Sequence, residues 1–276
     1  MQAALPRGIV AALAVAETIV AGFFYFRPDL VFGMLGRPVL DPVISRQYGL
    51  FLASVALFYA LLSTNPARYG RLLWIGVAQR VAELAAAVLD WRAGALAGNS
   101  FACIALIEVI AGAALTFYAA RMGAIGSDDP PQYRVDVWLR RALLGFGGLQ
   151  VFWAFLSTIF VQLGARLLGW KLQDAYTTQQ QGIALLVIGL TSLLAAADVN
   201  RYRRFVWIAV SSQAFGVANA VNELRLGTIT PTVALIQWAI EASIIATLLS
   251  LASIEHGESE VRFHRSRPRA IESSAD

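Results

Sequence analysis

Four charged residues stand near mid-helix, where charge is expensive: Glu17, Arg80, Glu83 and Glu108, with Asp90 on the Arg80 helix nearer the outer surface. A charge at the centre of a membrane helix costs about 2.5–3.5 kcal/mol on insertion scales, so each needs a partner or a task. Arg80, Glu83, Ala87 and Asp90 are spaced i, i+3, i+7 and i+10, which puts them on one helical face with alanine leaving room between the polar groups. Glu17 and Glu108 lie near the middle of two other runs, at a depth similar to that of Arg80 and Glu83. Three glutamates around one arginine would carry a net charge of minus two if all were ionised, so at least one is expected to hold a proton at neutral pH. A neutral carboxylic acid in apolar surroundings can donate a hydrogen bond or a proton. The cluster therefore has two readings. It is a structural ion-pair network joining helices, or it is a buried ligand-binding site made by Glu17, Arg80, Glu83, Asp90 and Glu108.

The elements that must position these groups follow from the composition. The chain has 276 residues, 58% hydrophobic and 14% charged, with a mean hydropathy of +0.61. Water-soluble domains carry roughly 25% charged residues, so a soluble globular protein is excluded. A run of about 20 apolar residues spans a bilayer core. Eight such runs predict an all-α polytopic membrane protein with transmembrane helices near 8–27, 43–64, 71–92, 99–120, 140–163, 176–198, 204–226 and 232–254. Ala14-Val15-Ala16 looks like a signal-peptidase site, but the apolar run continues to Phe26, so this segment is read as the first membrane helix. Eight spans put both termini on one side. That side holds fourteen Lys and Arg residues against six on the other, which makes it cytoplasmic by the positive-inside rule. The basic pI of about 9.5 is thereby explained without a nucleic-acid partner. Residues 255–276 mix acids, arginine and serine and read as a flexible cytoplasmic tail.

The chain also matches itself. Residues 8–120 pair with 141–253 at an offset of 133 without a gap, with 26 identities. The polar matches carry the most weight. They are Asp41 with Asp174, Gln47-x-Gly49 with Gln180-x-Gly182, and Arg68-Tyr69-x-Arg71-x-x-Trp74-Ile75 with Arg201-Tyr202-x-Arg204-x-x-Trp207-Ile208. Arg92-x-Gly94 also matches Arg225-x-Gly227, and Glu108 matches Glu241. Four helices per unit give both copies the same orientation, so the expected architecture is two parallel-repeat four-helix bundles side by side. The units are 1–124 and 139–254, joined by a linker at 125–138 that contains Asp128-Asp129-Pro130-Pro131. The costly charges differ between the copies. Glu17, Arg80 and Glu83 become Gln150, Gln213 and Gly216, while Glu108 and Asp90 stay acidic as Glu241 and Glu223. The repeated Arg-Tyr-x-Arg reads as a short interfacial turn, or else as a contact for a partner or anionic lipid.

Each unit reads as a helix, a short segment such as Arg27-Pro28-Asp29-Leu30 through Leu35-Gly36-Arg37-Pro38, and a helix opened by Arg46-Gln47-Tyr48-Gly49. An Asn65-to-Tyr69 turn and two more helices follow. This pattern resembles the small four-helix bacterial membrane proteins of the DoxX-like group, here in tandem and over about four-fifths of the chain. The resemblance implies a bacterial inner membrane and a place beside quinol oxidase or thiosulfate:quinone oxidoreductase complexes. It carries over no catalytic residue.

Cofactor chemistry is narrowed by what the chain lacks. Cys103 is the only cysteine, and His256 and His264 both lie in the tail, so no thiolate or imidazole set for haem, copper, zinc or an iron–sulfur cluster is at hand within the membrane. No cofactor and no metal are expected. Three functions stay open. The first is a non-catalytic accessory subunit or binding module that takes a lipid-soluble small molecule, quinone or isoprenoid-like, or docks on a larger membrane complex. The second is an isomerase- or cyclase-type membrane enzyme, with Glu83 as proton donor, Glu17 or Glu108 stabilising developing cationic charge and Arg80 tuning the acid. The third is a proton-linked transporter using the Arg80, Glu83 and Asp90 face.

Overall fold

A computed structural model describes residues 4–123, 137–168, 174–227 and 229–265. All regular structure among them is helical. Eight helices are long: α1 (Ala4–Phe26), α3 (Pro42–Thr64), α4 (Leu73–Arg92), α5 (Gly98–Gly123), α6 (Val137–Thr158), α8 (Ala175–Ala197), α10 (Val206–Arg225) and α11 (Pro231–Arg265). Three are short: α2 (Pro28–Met34), α7 (Val161–Leu168) and α9 (Val199–Tyr202). Single 3₁₀ turns at Gly70–Leu72 and Arg203–Phe205 lead into α4 and α10. Six helical stretches are long and apolar enough to cross a membrane: Arg7–Phe26, Pro42–Thr64, Gly70–Arg92, Gly98–Arg121, Ala175–Ala197 and Pro231–Ala252. Helices α6 and α10 are not among these six. The first carries Arg140, Arg141 and Gln150, and the second carries Ser211, Ser212, Gln213, Asn219, Asn222 and Glu223.

Local chemistry sets the ends of the central helices. Asp41 caps α3 by accepting from the Val43 and Ile44 amides at 3.0 and 3.1 Å, and Pro42 supplies a φ already suited to the first turn. Asp174 caps α8 by accepting from the Thr177 amide at 3.2 Å and its hydroxyl at 2.6 Å. Past the ends of α4 and α10, Gly94 and Gly227 adopt φ of 72° and 70°, the left-handed conformation that stops a helix. The bounds of α3 and α8, of α4 and α10, and of the two 3₁₀ turns are all offset by 133 residues. The capping aspartates are not equivalent. Asp174 is fully buried and also pairs with Arg37 at 3.5 Å. Asp174→Ala is therefore expected to lower the thermal unfolding midpoint clearly more than Asp41→Ala, which removes a cap of about 1 kcal/mol alone. Equal losses would show that the Arg37 pair adds nothing.

Glycine governs the closest helix crossings. A β-carbon on Gly49 would meet the Ala21 carbonyl of α1 at 2.8 Å and the Tyr25 amide at 2.9 Å, and one on Gly182 would meet the Ala154 carbonyl of α6 at 3.1 Å. Gly147 and Gly189 face each other across the same α6–α8 contact. Small residues let backbones approach closely, which is how apolar helices gain contact when lipid is as apolar as they are. The remaining tight pairs are α4 with α5 and α10 with α11.

The packing does not separate into one self-contained bundle per half, as the side-by-side reading expects. Helix α3 packs on α8 and α10, and α4 packs on α8, so the middle helices of each half bury one another. Phe58, Leu62, Leu72 and Leu73 from the first half and Tyr202, Phe205 and Ile208 from the second form one fully buried core. At one end of this core the Arg-Tyr turns grip each other. Arg68 Nη2 donates to the Asn200 carbonyl at 3.2 Å, and Arg201 Nε donates to the Arg68 carbonyl at 2.7 Å. Tyr69 packs edge-on to Phe205 with ring centroids 4.9 Å apart.

Three boundaries differ from expectation. The helix expected over 140–163 is interrupted after Thr158, and α7 resumes at Val161 with no proline or glycine marking the break. The segment after α1 contains a helix of its own, α2, with Pro28 in its first turn. Helix α11 continues to Arg265, where a flexible tail is expected from 255. The linker over 124–136 and the tail beyond 265 lie outside the described residues.

Candidate functional site

The four mid-helix charges meet. Helix α4 places Arg80 and Glu83 one turn apart, α1 brings Glu17 and α5 brings Glu108. Arg80 Nη1 donates to Glu83 Oε2 at 2.9 Å and to Glu108 Oε2 at 3.2 Å, and Arg80 Nη2 pairs with Glu17. All four residues are more than nine-tenths buried by protein. Two uncharged partners, which sequence reasoning missed, complete the arrangement. Gln79 Nε2 donates to Glu83 Oε1 at 2.8 Å and to Glu17 Oε1 at 3.4 Å, while Tyr59 Oη from α3 donates to Gln79 Oε1 at 2.9 Å. The Arg80 guanidinium also lies 5.6 Å from the centre of the Tyr59 ring. Every long helix of the first half thus contributes to one polar node. The signal for Gln79 was present, since it sits at i−4 from Glu83. Tyr59 lies in an unremarkable apolar run and gave none.

The node spans a structural gap. The α1/α3 and α4/α5 pairs each pack tightly, but α1 with α4, α1 with α5 and α3 with α4 make few close backbone approaches. Long polar side chains reach across instead. Three carboxyls share one guanidinium, so the arrangement can hold a proton among its acids and can tie four helices together.

Asp90 shares the buried face of α4 but not the node. Ten residues along a helix is about 15 Å of rise, and the charges that act on Asp90 are Arg37 and Asp174. Arg37, in the segment after α2, lies 3.5 Å from Asp174 and over the Tyr176 ring at 4.9 Å from its centre. Asp90 Oδ2 and Arg37 Nη1 are buried without a hydrogen bond among the described residues. This second polar cluster joins the two halves, and sequence spacing alone did not link its members.

In the second half the corresponding positions are arranged differently. The Glu241 carboxylate fills the space above Gly216, where a β-carbon would collide with it. Gln237 Nε2 donates to Glu241 Oε1 at 2.9 Å, while Glu241 Oε2 is enclosed without a partner. Gln213 Nε2 reaches Ser212 Oγ at 3.4 Å, and the buried Gln150 bonds to none of the described residues. Helices α6 and α11 leave a groove of about 330 Å³ lined by Ala142, Gly145, Phe146, Leu149, Ile244 and Leu248, with Ser243 and Thr247. Its lining is almost wholly apolar, because both hydroxyls bond back to their own helix at Ala239 and Ser243. Among the described residues no group of three or more acidic, histidine or cysteine side chains is placed to hold a metal ion.

The fold and site together define an all-helical protein with membrane-length apolar helices and a buried ionic node. No family model, no curated protein and no solved structure matches the chain.

Proposed function

We propose that the protein is an integral membrane accessory subunit or binding module for a lipid-soluble small molecule, quinone or isoprenoid-like, with no redox cofactor of its own. In this reading it crosses a bacterial inner membrane eight times with both termini cytoplasmic, as a tandem of two DoxX-like units. Helix α6 turns Gln150 inward, and α10 turns Ser212, Gln213 and Asn219 inward, so these polar groups are shielded by neighbouring helices. The groove between α6 and α11 carries the proposal: it is apolar, opens on the side of the molecule, and has the size of a site for a small apolar ligand. The Arg80 node is then the rigid frame of the first half rather than the ligand site, because its guanidinium is taken up by three carboxylates of the same chain.

Mass spectrometry of gently extracted protein tests this. A retained isoprenoid-class molecule or a companion membrane polypeptide is the expected result. Protein that emerges bare and alone from the mildest detergents would overturn it.

The excess of acid over base in the node supports a second reading, a proton-transferring membrane enzyme with Glu83 as donor. In that case Glu83→Gln would abolish turnover of an isoprenoid substrate while the protein still inserts.

A further inference from the structure

We propose that Gln150 and Gln213, walled by Glu241, hold the headgroup of a ligand whose tail occupies the α6–α11 groove, and that this ligand is a neutral amphiphile. Its head would be an uncharged oxygen group, a ring carbonyl or a terminal hydroxyl, on an isoprenoid-like tail. The inference rests on the binding-module reading and specifies its ligand.

Three observations converge. Along α6 the groove runs from Ala142 to Leu149, so Gln150, one turn beyond Phe146, continues its inner edge. The four long helices of this half follow one another up and down, so α11 runs antiparallel to α6. Its groove side passes from Leu248 back to Ser243, and Glu241, three residues before Ile244, arrives at the same end as Gln150. Apolar groove and polar group are therefore consecutive.

The second observation is what the head end contains. In the first half Glu17, Arg80 and Glu108 bind one another across three helices. At the positions 133 residues later, no hydrogen bond joins Gln150, Gln213 and Glu241 among the described residues. Gln213 is bonded to Ser212, Glu241 to Gln237, and Gln150 to none. The Gln150 amide has no partner among the described residues, and its oxygen and nitrogen are not sealed from outside, so another molecule can reach and satisfy them.

The third is charge. An amide both donates and accepts, and it suits a carbonyl or a hydroxyl equally. An anionic head would face the Glu241 carboxyl, so phosphate and carboxylate heads are disfavoured. A cationic head finds Glu241 already engaged, one oxygen with Gln237 and the other enclosed.

The test uses the full-length protein in lipid nanodiscs and two probes in calorimetric titration, a short-tailed benzoquinone for the carbonyl head and farnesol for the hydroxyl head. At least one should bind, and which one does assigns the head. Gln150→Leu keeps the side-chain volume. Gly145→Phe fills the groove where a β-carbon meets nothing within 4 Å. Each should weaken binding about ten-fold or more, the scale of one lost hydrogen bond or a blocked tail. Ala12→Phe, exposed at the position 133 residues earlier, should leave affinity unchanged. Unfolding midpoints close to wild type keep a loss of binding from being a loss of fold. Binding that survives both Gln150→Leu and Gly145→Phe overturns the headgroup assignment while leaving the binding-module reading intact. Failure of wild-type protein to bind either probe, with no lipid retained on extraction, overturns both.

Discussion

Arg80→Leu is expected to produce the largest loss of stability of any single substitution in the chain. It removes the only cation from a group holding Glu17, Glu83 and Glu108, all buried, and leaves three acids with Gln79 as their remaining donor. Breaking a buried pair by deleting one partner costs about 3–5 kcal/mol, because the surviving charge has neither water nor a counter-ion. The acids can soften this by taking up protons, but only by surrendering the interactions that bridge α1, α4 and α5. The expected readout is a sharp fall in yield and in the thermal unfolding midpoint of detergent-purified protein. A compensated variant keeps the prediction falsifiable. Arg80→Gln with Glu17→Gln and Glu83→Gly copies the residues that the second half places at the same positions, and it should recover most of the loss. Arg80→Leu as stable as wild type would show that the node does not hold the helices.

Gly49→Leu should come second. The β-carbon alone would press on the Ala21 carbonyl and the Tyr25 amide, which are backbone atoms that cannot rotate away. Helix α1 must move off α3, taking Glu17 with it. Overpacking of this kind costs about 1–3 kcal/mol, and the disturbed node adds to it. Gly189→Leu should behave alike, since its β-carbon would meet the Val151 amide and the Gly147 carbonyl. Gly22→Ala, where a β-carbon meets nothing within 4 Å, is the control and should leave the unfolding midpoint unchanged. Equal midpoints for Gly49→Leu and Gly22→Ala would show that the close crossing is dispensable.

The helices were legible because their boundaries are written in strong local chemistry. Asp41-Pro42 opens α3 and Asn65-Pro66 follows its end, so the expected 43–64 and the observed Pro42–Thr64 differ by one residue. The interruption at Ile159-Phe160 was not legible, since neither residue breaks helices and tertiary packing decides the matter. Nor was the partnering of α3 with α8 and α10. In an apolar chain the residues that face lipid and those that face protein look alike, so periodicity says little about which helix is neighbour to which. Glu17, Arg80, Glu83 and Glu108 were legible as a group because each is costly alone and can be offset together. Asp90 shares the face of Arg80 and Glu83 but lies farther along the axis, toward Arg37 and Asp174. Tyr59 and Gln79 are neutral and drew no notice. The groove is a void between backbones, set by how two helices diverge, and no residue type announces it.

The reciprocal grip of Arg68 and Arg201 ends on main-chain oxygens, not on side chains. A carbonyl is supplied by whatever amino acid occupies the site, so this join places no demand on the identity of its acceptor. Each part of the molecule is free to drift in character, one toward salt and the other toward amides, while the seam between them stays matched.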